Sequence, residues 1–117
     1  MTSAFDEDCI FCKIARGDFG TEFVAESERC LAFRDINPLA PVHVLVIPRV
    51  HVASVAELAD PHIAAELLFL CAEVARKFDV VESGFRIFSN TGDEGGQSVH
   101  HLHFHVAGGR KLGIGLD

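Results

Sequence analysis

The sequence predicts an α+β domain: a five-stranded antiparallel sheet with one long helix and one or two short helices. Three observations predict this class. Short runs of β-branched and aromatic residues alternate with turn residues, residues 62–78 have a wide apolar stripe at helical spacing, and the links between elements are short. A chain of 117 residues can bury a core of its own, so we expect a single domain over residues 1–117.

Five segments have the composition of strands, since β-branched and aromatic residues concentrate in them and turn residues bound them. These segments are residues 22–26, 30–34, 42–48, 85–90 and 101–107. A loop with two prolines follows the second strand, and a glycine-rich loop at 91–98 separates the last two. Short links between neighbouring strands favour antiparallel pairing.

A short helix is predicted at residues 8–16. Asp8 is a candidate N-cap, and Gly17 can end the helix in the left-handed conformation. Cys9 and Cys12 lie one helical turn apart, so both thiols can face one point. A C-x-x-C pair in a reducing compartment indicates metal or redox chemistry, whereas isolated cysteines in apolar stretches indicate core packing.

The long helix is predicted at 62–78, and two start signals precede it. Ser54 and Glu57 have capping-box spacing. Asp60 and Pro61 place an N-cap residue directly before a proline at the first helical position.

Composition excludes several classes of protein. Hydrophobic residues make up 49% of the chain and charged residues 23%, which is typical of a globular protein. The net charge is −7 and no basic run interleaves with aromatic residues, which argues against a nucleic-acid partner. No apolar stretch reaches the roughly 18 residues of a membrane span, so we expect no membrane partner. The N-terminus is acidic where a secretory signal would be basic and then apolar, so we expect a cytoplasmic protein.

Three histidines alternate with apolar residues near the end of the chain, in the stretch "HLHFHV". They are His101, His103 and His105. In a strand they would line one face, with the apolar residues entering the core behind them. His101 and His105 would then stand about 13 Å apart, too far to bind one metal ion. A solvated polar face is the alternative, but three histidines in register are uncommon by chance.

The loop before the histidines contains small residues that suit an anion. Gly95, Gly96, Gln97 and Ser98 could turn backbone N–H groups toward a phosphate, and Ser98 adds a hydroxyl. Glycine loops are common, so this loop alone would be weak evidence for an anion site. Its direct connection to the three histidines makes the evidence stronger.

These motifs together resemble the histidine-triad superfamily, and its nucleotide-binding Hint branch in particular. The resemblance rests on "HLHFHVA" within "GGQSVHHLHFHVAGGR" (95–110), "CIFCKIARGD" (9–18), "LAFRDINPLAPVHVLVIPRVH" (31–51) and Asn90. It implies a domain that dimerises into a ten-stranded sheet. It also implies hydrolysis of purine nucleoside phosphoramidates at the α-phosphorus through a nucleotidyl-histidine intermediate, releasing a nucleoside monophosphate.

The resemblance assigns roles to individual residues. His103 is the expected nucleophile, because a neutral imidazole is available near pH 7. His105 would hold the α-phosphate oxygens, and Ser98 is a proton route to the departing amine. His43 is expected to give a supporting hydrogen bond to this machinery.

The remaining implied roles concern nucleotide binding. Asp35 is expected to accept hydrogen bonds from the ribose hydroxyls, although it also suits a plain turn residue. Expected phosphate contacts are Asn90, Gly96 and Gln97, together with Ser98, His103 and His105. Expected apolar walls for the base are Phe11, Ile36 and Leu45, each of which alone would be taken for a core residue.

The resemblance also implies a structural zinc ion. The expected ligands are Cys9, Cys12, His51 and His101, which would form a closed Cys₂His₂ tetrahedron. The alternatives are an unmetallated pair of buried thiols and a thioredoxin-like redox pair, and the latter lacks its βαβ context. No catalytic metal is required by this scheme.

Two other functions remain open from the sequence. A dinucleoside polyphosphate hydrolase of the same superfamily would use the same nucleophile with a different leaving group, and a non-catalytic nucleotide-binding or adaptor protein could keep the same residues. A nucleotidyltransferase of the related branch would end the triad in glutamine, whereas this chain has His105.

Overall fold

The computed structural model describes residues 5–113, so the expected domain limits at 1 and 117 lie outside the described part of the chain. The helices are α1 (Ile10–Arg16), a 3₁₀ turn (Val55–Glu57) and α2 (Pro61–Lys77), and the strands are β1 (Ala25–Glu26), β2 (Cys30–Arg34), β3 (Val42–Pro48), β4 (Phe85–Phe88) and β5 (Phe104–Gly108). The strands form one antiparallel sheet in the order β1-β2-β3-β5-β4, which confirms the predicted α+β class.

Both faces of the sheet are covered. Val44 and Val46 of β3 pack with α2 in one apolar cluster, whereas Leu45 and Ile47 pack with α1 in another. Alternate residues of a strand point to opposite faces, so a strand covered on both sides becomes a continuous apolar run. This explains the composition of residues 42–48.

The predicted start of α2 is confirmed. The carboxylate of Asp60 accepts the N–H of His62 at 2.8 Å, and Pro61 occupies the first helical position. The earlier signal at Ser54 starts only the short 3₁₀ turn. There the Ser54 hydroxyl accepts the N–H of Ala56 and donates to the carboxylate of Glu57, at 3.1 and 3.0 Å.

Glu66 ties α2 to the turn between β1 and β2. Its carboxylate accepts the Ser27 hydroxyl at 2.7 Å, the Arg29 backbone N–H at 2.8 Å and the Arg29 guanidinium at 2.5 Å. These hydrogen bonds, that of Ser27 first, lower the pKa of Glu66 to about 2.

The prediction of Asp8 as the N-cap of α1 is wrong. The cap is Cys9, whose Sγ accepts the N–H of Cys12 at 3.3 Å. Asp8 instead donates its N–H to the carboxylate of Asp6 in the preceding turn, at 2.9 Å. Gly17 ends the helix as predicted, with a φ of 92°.

Three strands are shorter or later than predicted. β1 keeps only two residues of 22–26, and β4 ends at Phe88. β5 begins at Phe104, so His101 and His103 precede the strand. The backbone there bonds outside the ladder: the carbonyl of His101 accepts from the His103 ring, and the carbonyl of His103 accepts from Ser89. No helix among residues 5–113 is long and apolar enough to cross a membrane.

Candidate active site

A cavity of about 320 Å³ lies on the α1 side of the sheet. Its floor is a row of neighbours across three strands, in which Phe33 pairs with Leu45 and Leu45 pairs with His105. The residues that line it and were singled out from the sequence are Phe11, Asp35, Ile36, Leu45, Ser98, His103 and His105. The cavity therefore brings both phosphate-directed histidines together with the residues assigned to the nucleoside.

The ring of His103 has a defined orientation and protonation. Its Nδ1 lies 2.7 Å from the carbonyl oxygen of His101, and Phe11 packs edge-on against the ring with 5.1 Å between centroids. A carbonyl only accepts, so Nδ1 carries the proton and Nε2 keeps its lone pair. Burial lowers the pKa of His103, which favours the neutral ring.

His43 and His105 form a hydrogen-bonded chain. The N–H of Leu39 donates to Nδ1 of His43 at 3.0 Å, which places the proton of the neutral His43 ring on Nε2. The Nε2–H of His43 in turn donates to Nδ1 of His105 at 2.9 Å. His105 therefore carries its own proton on Nε2, a buried atom with no hydrogen-bond partner among residues 5–113.

The surroundings keep His105 neutral and hold its plane. The pKa of His105 is lowered to about 4, mainly by burial and then by the neighbouring His103 and His43. Phe88, its cross-strand partner, stacks on the ring with 4.4 Å between centroids and 7° between planes. A stacked ring cannot tilt freely, so the unpartnered Nε2–H keeps one direction.

Asp35, His43 and His105 also offer three donor atoms within 4.8 Å of one another. A metal ion there would need the lone pair of His43 Nε2, which would move the proton of the neutral ring to Nδ1. The Nδ1–H of His43 would then face the N–H of Leu39, and two donors cannot form a hydrogen bond. The cluster therefore fits a proton-bearing hydrogen-bond chain better than a metal site.

The two carboxylate oxygens of Asp35 have different surroundings. One carboxylate oxygen accepts the N–H of Asn37 at 2.8 Å and so shapes the turn. The other lies 3.5 Å from Nε2 of His43, at the lining of the cavity. Ile36, at the cavity rim, is 91% exposed.

The glycine-rich loop differs from expectation. The N–H of Gly96 donates to Asp93 and that of Gln97 to Gly92, so these amides close the loop upon itself and do not form the expected anion cradle. The buried side-chain amide of Gln97 donates to the carbonyls of Ala53 and Val99, at 2.7 and 3.0 Å.

Gly96 and Gln97 brace the loop that presents Ser98, and their contact with a phosphate stays a prediction. Gln97 has both amide protons committed to carbonyls and accepts a further backbone N–H through Oε1 at 2.9 Å. Asn90 follows β4, half-buried, and is not among the lining residues.

A second cavity, also about 320 Å³, adjoins the first. The two share Ile10, Ser98 and Val99 in their linings. The second cavity is also lined by two carboxylates, Asp6 and Asp8, and by two histidines, His51 and His100.

The four residues predicted as zinc ligands converge beside the cavity. The donor atoms of Cys9, Cys12, His51 and His101 lie within 4.8 Å of one another. Nδ1 of His101 is 3.2 Å from the Cys9 thiol and 3.5 Å from that of Cys12, and Nδ1 of His51 is 3.4 Å from the Cys12 thiol.

This donor set fits a zinc ion. Nε2 of His101 donates to the carbonyl of Pro48 at 2.9 Å, which leaves the Nδ1 lone pair facing the thiols. Two thiolates would neutralise a divalent cation in a buried site. Burial raises the pKa of Cys12 to about 11, so binding would have to displace the thiol proton.

Several residues of the cavity were missed in the sequence. They are Ile10, Ile14, Phe33, Arg34, Asn37 and Val99. Two signals could have found some of them: Ile10 and Ile14 are four apart on one face of α1, and Phe33 is two residues before Asp35, on the same face of the chain.

Comparison with known proteins identifies the family of the chain. The HIT domain family model matches residues 16–112. The chain belongs to the HIT family. A purine nucleoside phosphoramidase from Escherichia coli is 38% identical to this HIT protein over 109 residues, 92% of each chain. An uncharacterized HIT-like protein of Synechococcus elongatus is 45% identical over 108 residues, which cover 91% of this chain and 94% of the relative.

The fold of this HIT protein also matches a solved structure. A HIT family hydrolase from Clostridium thermocellum superposes with a TM-score of 0.90 and 39% identity, covering 95% of this chain and 98% of its own. The family resemblance found in the sequence is thereby confirmed.

Proposed function

We propose that this HIT protein hydrolyses purine nucleoside phosphoramidates at the α-phosphorus and releases a nucleoside monophosphate and an amine. The observation that carries the proposal is the tautomer of His103, whose Nδ1–H is held by the His101 carbonyl and whose Nε2 lone pair is left for attack. The similarity to the phosphoramidase from Escherichia coli supports the same reaction.

The first step would be attack by Nε2 of His103 on the α-phosphorus. A phosphorus–nitrogen bond to the ring forms as the bond to the leaving nitrogen breaks. The ring becomes positively charged, and its Nδ1–H bond to the carbonyl of His101 stabilises that charge. The leaving nitrogen takes up a proton, for which the exposed Ser98 hydroxyl offers the route from solvent.

The second step would be attack by water on the nucleotidyl-histidine. A phosphorus–oxygen bond forms as the phosphorus–nitrogen bond to His103 breaks, and its electron pair returns to Nε2. One water proton stays on the product phosphate and the other passes to solvent. Nε2–H of His105 would donate to the α-phosphate in both steps, which accounts for a buried donor without a partner. His43 supports this donor by accepting from Leu39 and donating to His105.

The nucleoside would occupy the cavity in front of these histidines. Phe11 and Leu45 would provide apolar walls for the base, and Ile36 would close the exposed rim. Asp35 would accept from the ribose hydroxyls with the carboxylate oxygen that the turn does not use. A volume of about 320 Å³ lies within the range of small-ligand sites.

The two carboxylates that line the neighbouring cavity support an amine leaving group over a polyphosphate. Asp6 and Asp8 would repel phosphates that entered this cavity, whereas they would favour an amine as it becomes protonated.

We further propose a structural zinc ion at Cys9, Cys12, His51 and His101. Bound there, zinc would join α1, which carries Phe11 of the base pocket, to the segment that carries His103. It would thus hold two walls of the site together without taking part in the chemistry.

A second copy of the chain is the proposed partner. Phe69 and Leu68 on the outer face of α2 are 73% and 50% exposed, and Phe85 and Ile87 on the edge strand β4 are each 38% exposed. Pairing of the β4 edges of two copies would cover Phe85 and Ile87 and give the ten-stranded sheet, whereas Leu68 and Phe69 would need a separate contact from the second copy.

The experiment compares turnover of a fluorogenic adenosine phosphoramidate with that of a dinucleoside triphosphate. The variants are wild type, His103→Ala, and His62→Ala as a control in which an exposed histidine outside the cavity is removed. We expect phosphoramidate turnover in wild type and the control, and none in His103→Ala with its thermal stability retained. Preference for the dinucleotide, or AMP binding without turnover of either substrate, would contradict the proposal.

A further inference from the structure

The loop of residues 35–41 carries three residues of the nucleotide cavity, Asp35, Ile36 and Asn37, but apart from the buried Ala40 it has little apolar support. Ile36 is 91% exposed and Leu39 is 51% exposed. Few contacts therefore fix the loop, and the position of each one affects Asp35 and the rim of the cavity.

Leu39 is held at both of its backbone groups. Its N–H donates to Nδ1 of His43 at 3.0 Å, and its carbonyl accepts from the guanidinium of Arg110 at 2.8 Å. The same guanidinium donates to the carbonyl of Lys111 at 3.0 Å, which limits its movement.

A second contact between the same two segments is independent of this hydrogen bond. Gly109, with a φ of 90°, passes so close to the loop that a Cβ on it would stand 3.0 Å from the Cβ of Pro41. Residues 109–110, which follow β5, therefore back the loop at two points.

We propose that Arg110 is a positioning residue for the hydrolytic site, acting through Leu39 on the tautomer of His43. The proposal rests on the proposed function only for its effect on turnover. With Leu39 held, its N–H selects the His43 ring that is protonated on Nε2, and His105 in turn keeps its proton on Nε2.

Without Arg110 the loop loses an anchor and the N–H of Leu39 is no longer held against Nδ1. The His43 proton can then move to Nδ1, so that Nε2 accepts from Nδ1–H of His105. His105 in that form has no proton on Nε2 and cannot donate to the phosphate. The rim of the cavity at Ile36 loses support with the same loop, so binding weakens as well.

The test uses Arg110→Met, Arg110→Lys and, as a matched control, Arg86→Met. Arg86 lies beside Arg110 at a small surface cavity, carries the same charge and also donates to a backbone carbonyl, that of Gly113, but does not contact the loop. The measurements are the imidazole ¹⁵N shifts of His43, which report its tautomer, and kcat and KM for the phosphoramidate.

We expect Arg110→Met to give mixed tautomers of His43, a higher KM and a fall in kcat of roughly 10- to 100-fold, since misplacement by about 1 Å can cost roughly 100-fold. Arg110→Lys should recover part of both effects, and Arg86→Met should match wild type. Unchanged His43 shifts in Arg110→Met would overturn the proposal, as would equal changes in Arg86→Met or a changed tautomer with unchanged kcat. If wild type hydrolyses nothing, the proposed function fails, whereas the ¹⁵N shifts still decide the positioning role.

Discussion

Asp35→Asn separates the ribose-binding role of Asp35 from its role in the turn. An asparagine Oδ1 can still accept the N–H of Asn37, so the turn is retained. The other oxygen becomes an NH₂ group, which cannot accept from a ribose hydroxyl. Hydrogen bonds to a charged group are worth about 1.5–3 kcal/mol. Loss of one such bond should therefore raise KM roughly 10- to 150-fold, at about 1.4 kcal/mol per factor of ten.

The assay measures kcat/KM for wild type and Asp35→Asn on two substrates, an adenosine phosphoramidate and its 2′,3′-dideoxy analogue. If Asp35 binds the diol, the substitution should weaken the ribonucleotide reaction and leave the dideoxy reaction almost unchanged. An equal loss on both substrates would refute this reasoning. It would indicate that Asp35 acts through the nearby Nε2 of His43, 3.5 Å away, and not through the ribose.

Three further predictions concern the metal, acid stability and assembly. Cys12→Ser should lose zinc in elemental analysis and unfold at a lower temperature. Cys30→Ser, which replaces a buried thiol outside the cluster, should keep zinc. Zinc retained in Cys12→Ser would contradict the assignment. The depressed pKa of Glu66, about 2 against an ordinary 4.5, means that its stabilisation is present above pH 4.5 and lost as pH falls toward 2. Urea unfolding of Glu66→Gln should therefore show a smaller decline over that interval than wild type, and equal declines would argue against this role. Phe69→Glu should convert a dimer to a monomer in sedimentation, while an unchanged mass would exclude α2 from the interface.

Local spacing was enough for several features of the site. Cys9 and Cys12 converge because they lie one helical turn apart, and the start of α2 follows from Asp60 and Pro61. His103 and His105 face the cavity while Leu102 and Val106 pack in the core, as alternation predicts, although β5 begins only at Phe104. Strand β5 does not include His101 and His103 because other groups bond to the backbone there. The carbonyls of His101 and His103 accept from side chains, and the N–H of Leu102 donates to Val52, which no local pattern reveals.

The glycine-rich loop shows a different limit of sequence reasoning. Gly96 and Gln97 have the composition of an anion cradle, yet their N–H groups are used within the loop. The direction of an amide depends on which carbonyl lies opposite it after folding. Only Ser98 of this group is left exposed at the cavity.

The sequence by itself determined the fold class, the family and the histidines and cysteines that meet at the site, because these depend on periodicity, spacing and motif order. Only the tertiary structure decided what each histidine can do. The proton of His103 is placed by the carbonyl of His101, that of His101 by the carbonyl of Pro48, and those of His43 and His105 by the N–H of Leu39. An imidazole nitrogen donates or accepts according to the atom that faces it, and in this site the facing atoms are fixed by packing between segments distant in the chain.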